Sequence, residues 1–266
     1  MSALKLAIHG AAGRMGKRLV ALGHADEELE IVAALDSAAH PDAGKDAGLV
    51  AGTAELRIPI GATIPETVEL IIDFSVPDAA LANLAVCRQR GIPLVFATTG
   101  LADGADSEIH AAAADIPIVW APNMSLAVNL TLKLAAQAAT ALKNQSSGVD
   151  VEILERHHRY KEDAPSGTAL KFGETIQSIM GQTQSAHGRG GRPGVRPNSE
   201  IGYHAIRVGD NPGEHTIVFG LLGETVELTV RATSRDAYAL GALAAAKFLA
   251  SQSPGLYSML DVLGLE

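Results

Sequence analysis

Leu4-Lys5-Leu6-Ala7-Ile8-His9-Gly10-Ala11-Ala12-Gly13-Arg14-Met15-Gly16 reads as a buried strand running straight into a glycine-rich turn and then a helix. Such a turn brings backbone N–H groups and the positive helix end to a pyrophosphate, with glycine permitting the close approach. Asp36 ends the next strand-like run, about 20 residues after the last glycine, where a carboxylate can accept hydrogen bonds from adenosine ribose hydroxyls. A tight turn plus a capping Asp would give the same letters. Strand, glycines, helix, strand and acid in that order favour a dinucleotide.

Outward from this motif, short β-rich runs alternate with alanine-rich helical stretches. Strands are expected at Leu4 to His9, Glu30 to Asp36, Leu70 to Phe74, Pro93 to Thr98 and Ile116 to Trp120. Helices are expected near Gly13 to Gly23, Pro77 to Arg90 and Asp106 to Ala114. This is the grammar of βα units around a parallel sheet, whose ligand sits outside the C-terminal strand ends. Two of those ends, Ala97-Thr98-Thr99-Gly100 and Ala121-Pro122-Asn123-Met124-Ser125, carry small polar residues suited to a nicotinamide amide, or are ordinary turns. Asp73-Phe74-Ser75 ends another strand and is read as a plain turn with a weak cofactor claim.

After Trp120 the pattern changes. A helix at Leu126 to Lys143 precedes alternating segments at Val149 to Glu155, Glu200 to Val208, Glu214 to Gly220 and Thr225 to Thr233, with one helix at Ser166 to Met180. Long β segments with few helices predict a mixed sheet. An apolar helix at Asp236 to Gln252 is expected to return to the first domain, and Ala186 to Asn198, rich in Gly, Arg and Pro, is expected to be a mobile loop. The fold class is thus α/β: an N-terminal doubly wound, Rossmann-type dinucleotide-binding domain (1–125 with 236–266) and an α+β C-terminal domain with a mixed open sheet (126–235).

The composition narrows the function classes. With 266 residues, 47% hydrophobic, 19% charged and 4% aromatic, the chain can bury a sizeable core, and disorder or coiled coil are poor descriptions. The net charge of -9, from 21 Lys plus Arg against 30 Asp plus Glu, disfavours nucleic acid and anionic lipid as partners. Any anionic ligand therefore needs a local positive site. The lone Cys87 excludes an intrachain disulfide framework and a cysteine zinc cage, and fits a reducing cytoplasm. No apolar run approaches the roughly 18 residues of a membrane span, and Lys5 and His9 interrupt the one apolar stretch where a signal peptide would lie.

The local positive site is Glu155-Arg156-His157-His158-Arg159-Tyr160-Lys161-Glu162-Asp163-Ala164-Pro165-Ser166-Gly167-Thr168-Ala169. A charge run is usually a solvated face. Here, however, it precedes Pro-Ser-Gly-Thr, which is built like an open helix N-terminus, and cationic side chains with helix-end N–H donors can together hold a carboxylate or phosphate. His157 and Lys161 are the proton carriers of such a site, since imidazole titrates near neutrality and crowding lowers an ammonium pKa. Zinc on the histidine pair is the weaker alternative, because adjacent strand histidines point apart and no cysteine or H-x-x-x-H spacing supports it. No metal is expected. His204 and His215 are read as satisfied core or interface histidines.

These motifs, with Ile201-Gly202-Tyr203-His204-Ala205-Ile206-Arg207-Val208-Gly209-Asp210 and Gly213-Glu214-His215-Thr216, closely resemble the 4-hydroxy-tetrahydrodipicolinate reductase (dihydrodipicolinate reductase) family of the diaminopimelate route to lysine. The resemblance runs from Lys5 to Leu263 and is carried most specifically by the His-His-x-x-Lys-x-Asp-Ala-Pro-Ser-Gly-Thr string. It implies a nicotinamide cofactor in the first domain, a small cyclic dicarboxylate in the second, and a homotetramer joined through the C-terminal sheets. It implies His157 as catalytic acid/base, Lys161 as proton donor, and His158, Ser166, Gly167 and Thr168 as substrate-binding residues. Gly10, Ala11, Ala12, Gly13, Arg14, Met15, Asp36, Ser37, Ala97, Thr98, Thr99, Ala121, Pro122, Asn123 and Met124 would line the cofactor site. Closure about hinges near Ser125 and Arg235 is expected.

Two departures stand out. Family members often have glycine where this chain has Ala97, and many carry a basic residue after the ribose-binding acid where this chain has Ser37. The second leads to the expectation that NADH serves at least as well as NADPH. A related oxidoreductase acting on another amino-acid-derived acid, and a dinucleotide-binding sensor without catalysis, are the rival readings. A sensor would need neither His157 nor Lys161.

Overall fold

The computed structural model describes residues 3–265. In chain order the elements are β1 (Leu4–His9), α1 (Arg14–His24), β2 (Leu29–Leu35), α2 (Ala47–Ala51), β3 (Ile60–Gly61), β4 (Leu70–Asp73), α3 (Pro77–Arg90), β5 (Leu94–Phe96), α4 (Ala105–Ala113), β6 (Pro117–Trp120) and α5 (Leu126–Leu142). They continue with β7 (Asp150–His157), α6 (Gly167–Met180), β8 (Gln184–His187), β9 (Glu200–Arg207), β10 (Gly213–Leu221), β11 (Glu224–Ala232), α7 (Asp236–Leu249), β12 (Gly255–Tyr257) and α8 (Met259–Val262). The chain divides into two compact units, 1–126 with 235–266, and 127–234. Among the described residues no helix is long and apolar enough to cross a membrane.

The first unit is a parallel sheet of order β12-β6-β5-β4-β1-β2-β3. Its central strands are buried on both faces, as the unbroken apolar run Leu70-Ile71-Ile72 requires. One face packs with α1 and α7 around Leu6, Ile8, Leu19 and Leu243; the other packs with α3 and α4 around Ile71, Leu84, Phe96 and Ile109. Helix α7 sits close because Gly241 has no side chain: a Cβ there would lie 1.7 Å from the Met124 carbonyl oxygen. Strand order reverses between β1 and β4, and the crevice at such a switch point is where doubly wound sheets take ligands.

The second unit is a mixed sheet of order β11-β10-β7-β9-β8, with β7, β9 and β8 parallel to one another and β10 antiparallel to both β7 and β11. Val151, Ile153, Ile217 and Phe219 turn one face of it toward α5 and α6, meeting Ala135, Ala139, Phe172 and Ile176. The alternation of β7, with Val151, Ile153, Glu155 and His157 buried, places the last two on that helix-covered face.

The fold contains elements that periodicity did not announce: α2, β3, β8, β12 and α8 are all five residues or fewer. The stretch 186–198, expected to be a mobile loop, begins within a strand. Ala186 and His187 extend β8. Beyond them Arg189 donates to both Glu152 oxygens and pairs with Glu200, while Arg196 reaches Asp150 at 2.7 Å and Glu152 at 2.9 Å. Those cations gather on Glu152 and, against the opposing effect of burial, hold its carboxyl down at about 2.

Candidate active site

In the first unit the glycine turn is shaped by the protein's own backbone. Gly10 has φ +79°, and a Cβ there would come 2.5 Å from the Phe74 carbonyl oxygen; one on Gly16 would come 2.0 Å from the Gly10 oxygen. Gly13 is the N-cap of α1 and supplies no side-chain cap. The N–H groups of Gly10 and Ala11 go to Leu35 O, that of Ala12 to Asp36 Oδ2 at 2.9 Å, and that of Gly13 to Gly10 O. Since the first intrahelical bond runs from Lys17 N to Gly13 O, the donors offered at this helix end are those of Arg14, Met15 and Gly16. The sequence expectation named backbone N–H groups of the turn together with the positive helix end; the groups offered here are at the helix end.

A cavity of about 570 Å³ lies beside this turn, within the range of small-molecule sites, and Gly10, Gly13, Asp36, Ser37, His40 and Val76 are among the residues lining it. Asp36 is fixed by Ala12 N and Ser37 N, at 2.9 and 2.8 Å. An uncapped helix end, an acid at the neighbouring strand end and an apolar slot are what a dinucleotide requires, so the residues present fit that group.

The other expected cofactor residues lie at the start of α1 and at adjoining strand ends. Met15 packs partly against the core, and Arg14 is exposed. Ala97 and Thr98 are buried, Thr99 is exposed, and Ala121 N donates to Phe96 O at 3.3 Å. Pro122 is exposed, Met124 is buried, and Asn123 Oδ1 accepts from Ser125 N.

Sequence reasoning gave Asp73 little weight, yet it ties this region together. Fully buried, it accepts from Ser75 N, Ser75 Oγ and Thr98 Oγ1 on one oxygen and faces His9 Nδ1 (2.6 Å) and Asn83 Nδ2 (2.8 Å) with the other. Burial alone would raise its pKa, but the His9 ring and the Ser75 donors outweigh this and hold the carboxyl below its usual range. The carboxylate thereby locks the ends of β1, β4 and β5 and the flank of α3. Burial pushes the Cys87 thiol up to about 12, with nearby Asp73 adding to the shift, so it is an inert core residue.

In the second unit, β7 delivers Glu155 and His157 to one buried pole. His157 Nδ1 is 2.6 Å from Glu155 Oε2, and Arg207 binds the same carboxylate through two nitrogens, each at 2.7 Å. Ser166 N donates to Glu155 Oε1 at 3.1 Å, while Ser166 Oγ caps α6 by accepting from Ala169 N and meets His215 Nε2 at 3.0 Å. His215 stands opposite Glu155 on β10, its ring 5.2 Å from that of His157. Glu155, Arg207 and His215 were absent from the expected site. The Glu-x-His alternation within one strand was the available sign for Glu155; the other two are 52 and 60 residues away from it in sequence.

Burial lowers the His157 pKa and Glu155 opposes this, with the net direction downward; His215, more deeply buried and beside His157, falls to about 4. Burial raises Glu155, but Arg207 and His157 more than offset it, so it remains ionised. Lys161 Nζ pairs with Asp163 at 2.7 Å on the turn between β7 and α6. His158 Nδ1 is buried with no hydrogen-bond partner. Thr168 lies in the first turn of α6, and the space beside Gly167 is open, with nothing within 4 Å of an added Cβ. Ser166, expected to bind substrate, has its backbone N–H and its hydroxyl engaged in holding this turn. The arrangement can move a proton and seat an anion. Among the described residues no cluster suited to a metal ion forms.

Comparison with known proteins agrees along the whole chain. Residues 4–124 match the family description "Dihydrodipicolinate reductase, N-terminus" and residues 127–263 match "Dihydrodipicolinate reductase, C-terminus". The 4-hydroxy-tetrahydrodipicolinate reductase of Rhodopirellula baltica is 57% identical over 98% of this chain and 96% of its own, and that of Alkalilimnicola ehrlichii is 45% identical over 98% and 99%. The fold is shared with a dipicolinate-bound dihydrodipicolinate reductase from Paenisporosarcina sp. TG-14, with a TM-score of 0.76 and 24% identity over 97% of this chain and 98% of that one. GenD2 of gentamicin A biosynthesis, solved with NAD, is more distant, with a TM-score of 0.61 and 14% identity over 100% of this chain and 91% of that one. With both family descriptions spanning nearly all its residues, the chain belongs to the dihydrodipicolinate reductase family.

Proposed function

We propose that the protein reduces 4-hydroxy-tetrahydrodipicolinate to tetrahydrodipicolinate with NADH or NADPH, in the synthesis of diaminopimelate and lysine. The conversion removes the hydroxyl as water and adds one hydride and one proton to the ring. A nicotinamide cofactor, when bound, supplies the hydride. The uncapped start of α1 and Asp36 hold its pyrophosphate and adenosine ribose, and the turns at 97–99 and 121–124 meet its nicotinamide end.

Residues of the second unit bind and protonate the substrate. His158, Gly167 and Thr168 hold its carboxylates at the start of α6, where helix-end donors favour anions. Lys161 donates the proton and His157 serves as the acid/base group, oriented by Glu155. The Glu155–His157 pair beside that helix end is the observation that carries this reading, because it sets a carboxylate-held imidazole next to an anion-binding helix start, the arrangement that proton transfer to a bound anion needs. NADH serves at least as well as NADPH, since Ser37 offers no charge to a 2′-phosphate.

The assembly is a homotetramer built on the second unit's sheet. Supporting this, α5 and α6 cover the opposite face, while Leu154, at 38% exposure, and Val218 and Thr229 lie on the uncovered one. The cytosol is the setting, in keeping with the lone buried thiol. The test is oxidation of NADH or NADPH that depends on freshly generated 4-hydroxy-tetrahydrodipicolinate; cofactor binding without such oxidation would remove the catalytic assignment.

A further inference from the structure

Residues 37–45 form a pair of tight turns beside the end of β2. Ser37 Oγ accepts from Ala39 N at 3.2 Å, His40 N donates to Ser37 O, and Ala43 N donates to His40 O. The segment carries Asp42, which pairs with two ammonium groups: Lys45 Nζ lies 2.7 Å away and Lys17 Nζ of α1 3.7 Å. Asp42 N also donates to His40 Nδ1 at 3.1 Å, which makes Nδ1 an acceptor and leaves the ring proton on Nε2. His40 lines the same cavity as Asp36 and Ser37.

We infer that Asp42 is a specificity-determining residue: by pairing with Lys17 and Lys45 it withholds two ammonium groups from a 2′-phosphate and so limits how well a 2′-phosphorylated dinucleotide is accepted beside Asp36. This rests on the dinucleotide reading of the cavity. Lys45, with Lys17 adding to it, holds the Asp42 carboxyl below its ordinary range, so the pairing persists at neutral pH. Ion pairs this exposed are weak, and lysine stems are flexible. A doubly charged phosphate can therefore draw the ammonium groups away from Asp42 in part, which yields tolerance of the phosphorylated cofactor rather than preference for it. Removing the Asp42 charge frees both lysines and also deletes one anion near the phosphate, so both effects have the same sign.

The test is calorimetric binding of 5′-AMP and adenosine 2′,5′-bisphosphate at one low salt concentration, with no turnover involved. Asp42→Asn should tighten the bisphosphate relative to 5′-AMP by about three- to fivefold, and Lys17→Met should loosen it by a similar factor. The 5′-AMP affinity of each variant reports whether the cleft is intact. A bisphosphate-to-AMP ratio unchanged in Asp42→Asn overturns the inference, whatever Lys17→Met does. Binding of neither nucleotide by the parent protein defeats the dinucleotide reading as well, so the two failures are distinguishable.

Discussion

His157 and Glu155 lie two residues apart on β7, on its one helix-covered face, with Nδ1 of the imidazole 2.6 Å from the carboxylate. A buried carboxylate in that position fixes the ring's orientation and tautomer and partly offsets the cost of charging it. Glu155 is itself fixed by Arg207 and by the Ser166 N–H, so the imidazole inherits the rigidity of the strand and of the α6 turn. Glu155 is a positioning residue, and its variants should be read in that light.

Glu155→Gln keeps the shape but loses the charge. The expected result is a fall in kcat on the order of 100-fold. Because Glu155 supports the protonated imidazole against the effect of burial, the His157 limb of the pH–rate profile should also move to lower pH. A variant with reduced kcat and an unmoved profile would mean that Glu155 serves only the fold.

Lys161→Ala should lower kcat by at least roughly 100-fold while leaving cofactor affinity nearly unchanged, since a proton donor acts in the transition state. Steady-state kinetics with a direct measurement of NADH binding separates the two. An unaltered kcat would take Lys161 out of the chemistry.

Pyridine-2,6-dicarboxylate, a planar dicarboxylate, should compete with substrate and bind more tightly once nicotinamide is present. Thr168→Val should weaken its inhibition about tenfold or more, the cost of one hydrogen bond to a charged group. Equal inhibition of both proteins would place the carboxylates elsewhere.

The buried histidines predict acid lability. His215 titrates near 4 in the fold against about 6.5 in an unfolded chain, so the unfolded state binds more protons between these values. Its contribution to stability is complete above pH 6.5 and is lost as pH falls toward 4, at most about 3 kcal/mol. Urea unfolding across that window should show stability rising with pH, and His215→Asn should flatten the slope. A slope unaffected by the substitution would assign the acid sensitivity to other groups.

Much of this architecture was legible because its signals are local. The β1–α1–β2 order, the glycine turn and Asp36 lie within one short stretch, and the Glu155 to Ala169 segment holds its histidines, lysine and helix start in sequence. What escaped reading depends on partners remote in the chain. His9, Asn83 and Thr98 meet at Asp73 only once three strands and α3 are assembled, and Arg207 meets Glu155 only through the parallel pairing of β7 with β9. The two-residue β3 and the exposed edge strand β8 are too short to show a period. The loop after β8 was expected to be loose because its composition is Gly-rich, and that composition says nothing of where Arg189 and Arg196 find their carboxylates.

NADH should be used at least as well as NADPH by the parent. A 2′-phosphate within about 4 Å of Asp36 would be repelled by about 4 kcal/mol at an effective dielectric of 20, an upper figure for an exposed rim. Comparison of kcat/KM for both cofactors at one salt concentration, in the parent and in Ser37→Arg, tests this. Arg14 and Lys17, on α1, are the basic side chains left to meet a 2′-phosphate, and a parent preference for NADPH above about tenfold, or roughly 1.4 kcal/mol, would show that they outweigh Asp36.

Hydride transfer to a ring seated by the α6 turn is the core of the proposed mechanism, and isotope tracing reads the transfer directly. The parent protein would be given freshly generated 4-hydroxy-tetrahydrodipicolinate and NADH carrying deuterium at the transferred position, and the product examined by mass spectrometry. One deuterium from the cofactor should appear in the tetrahydrodipicolinate, with the rate of its appearance collapsing in Lys161→Ala. Product without the label, or no product from a protein that binds both NADH and the dicarboxylate, would contradict the assignment.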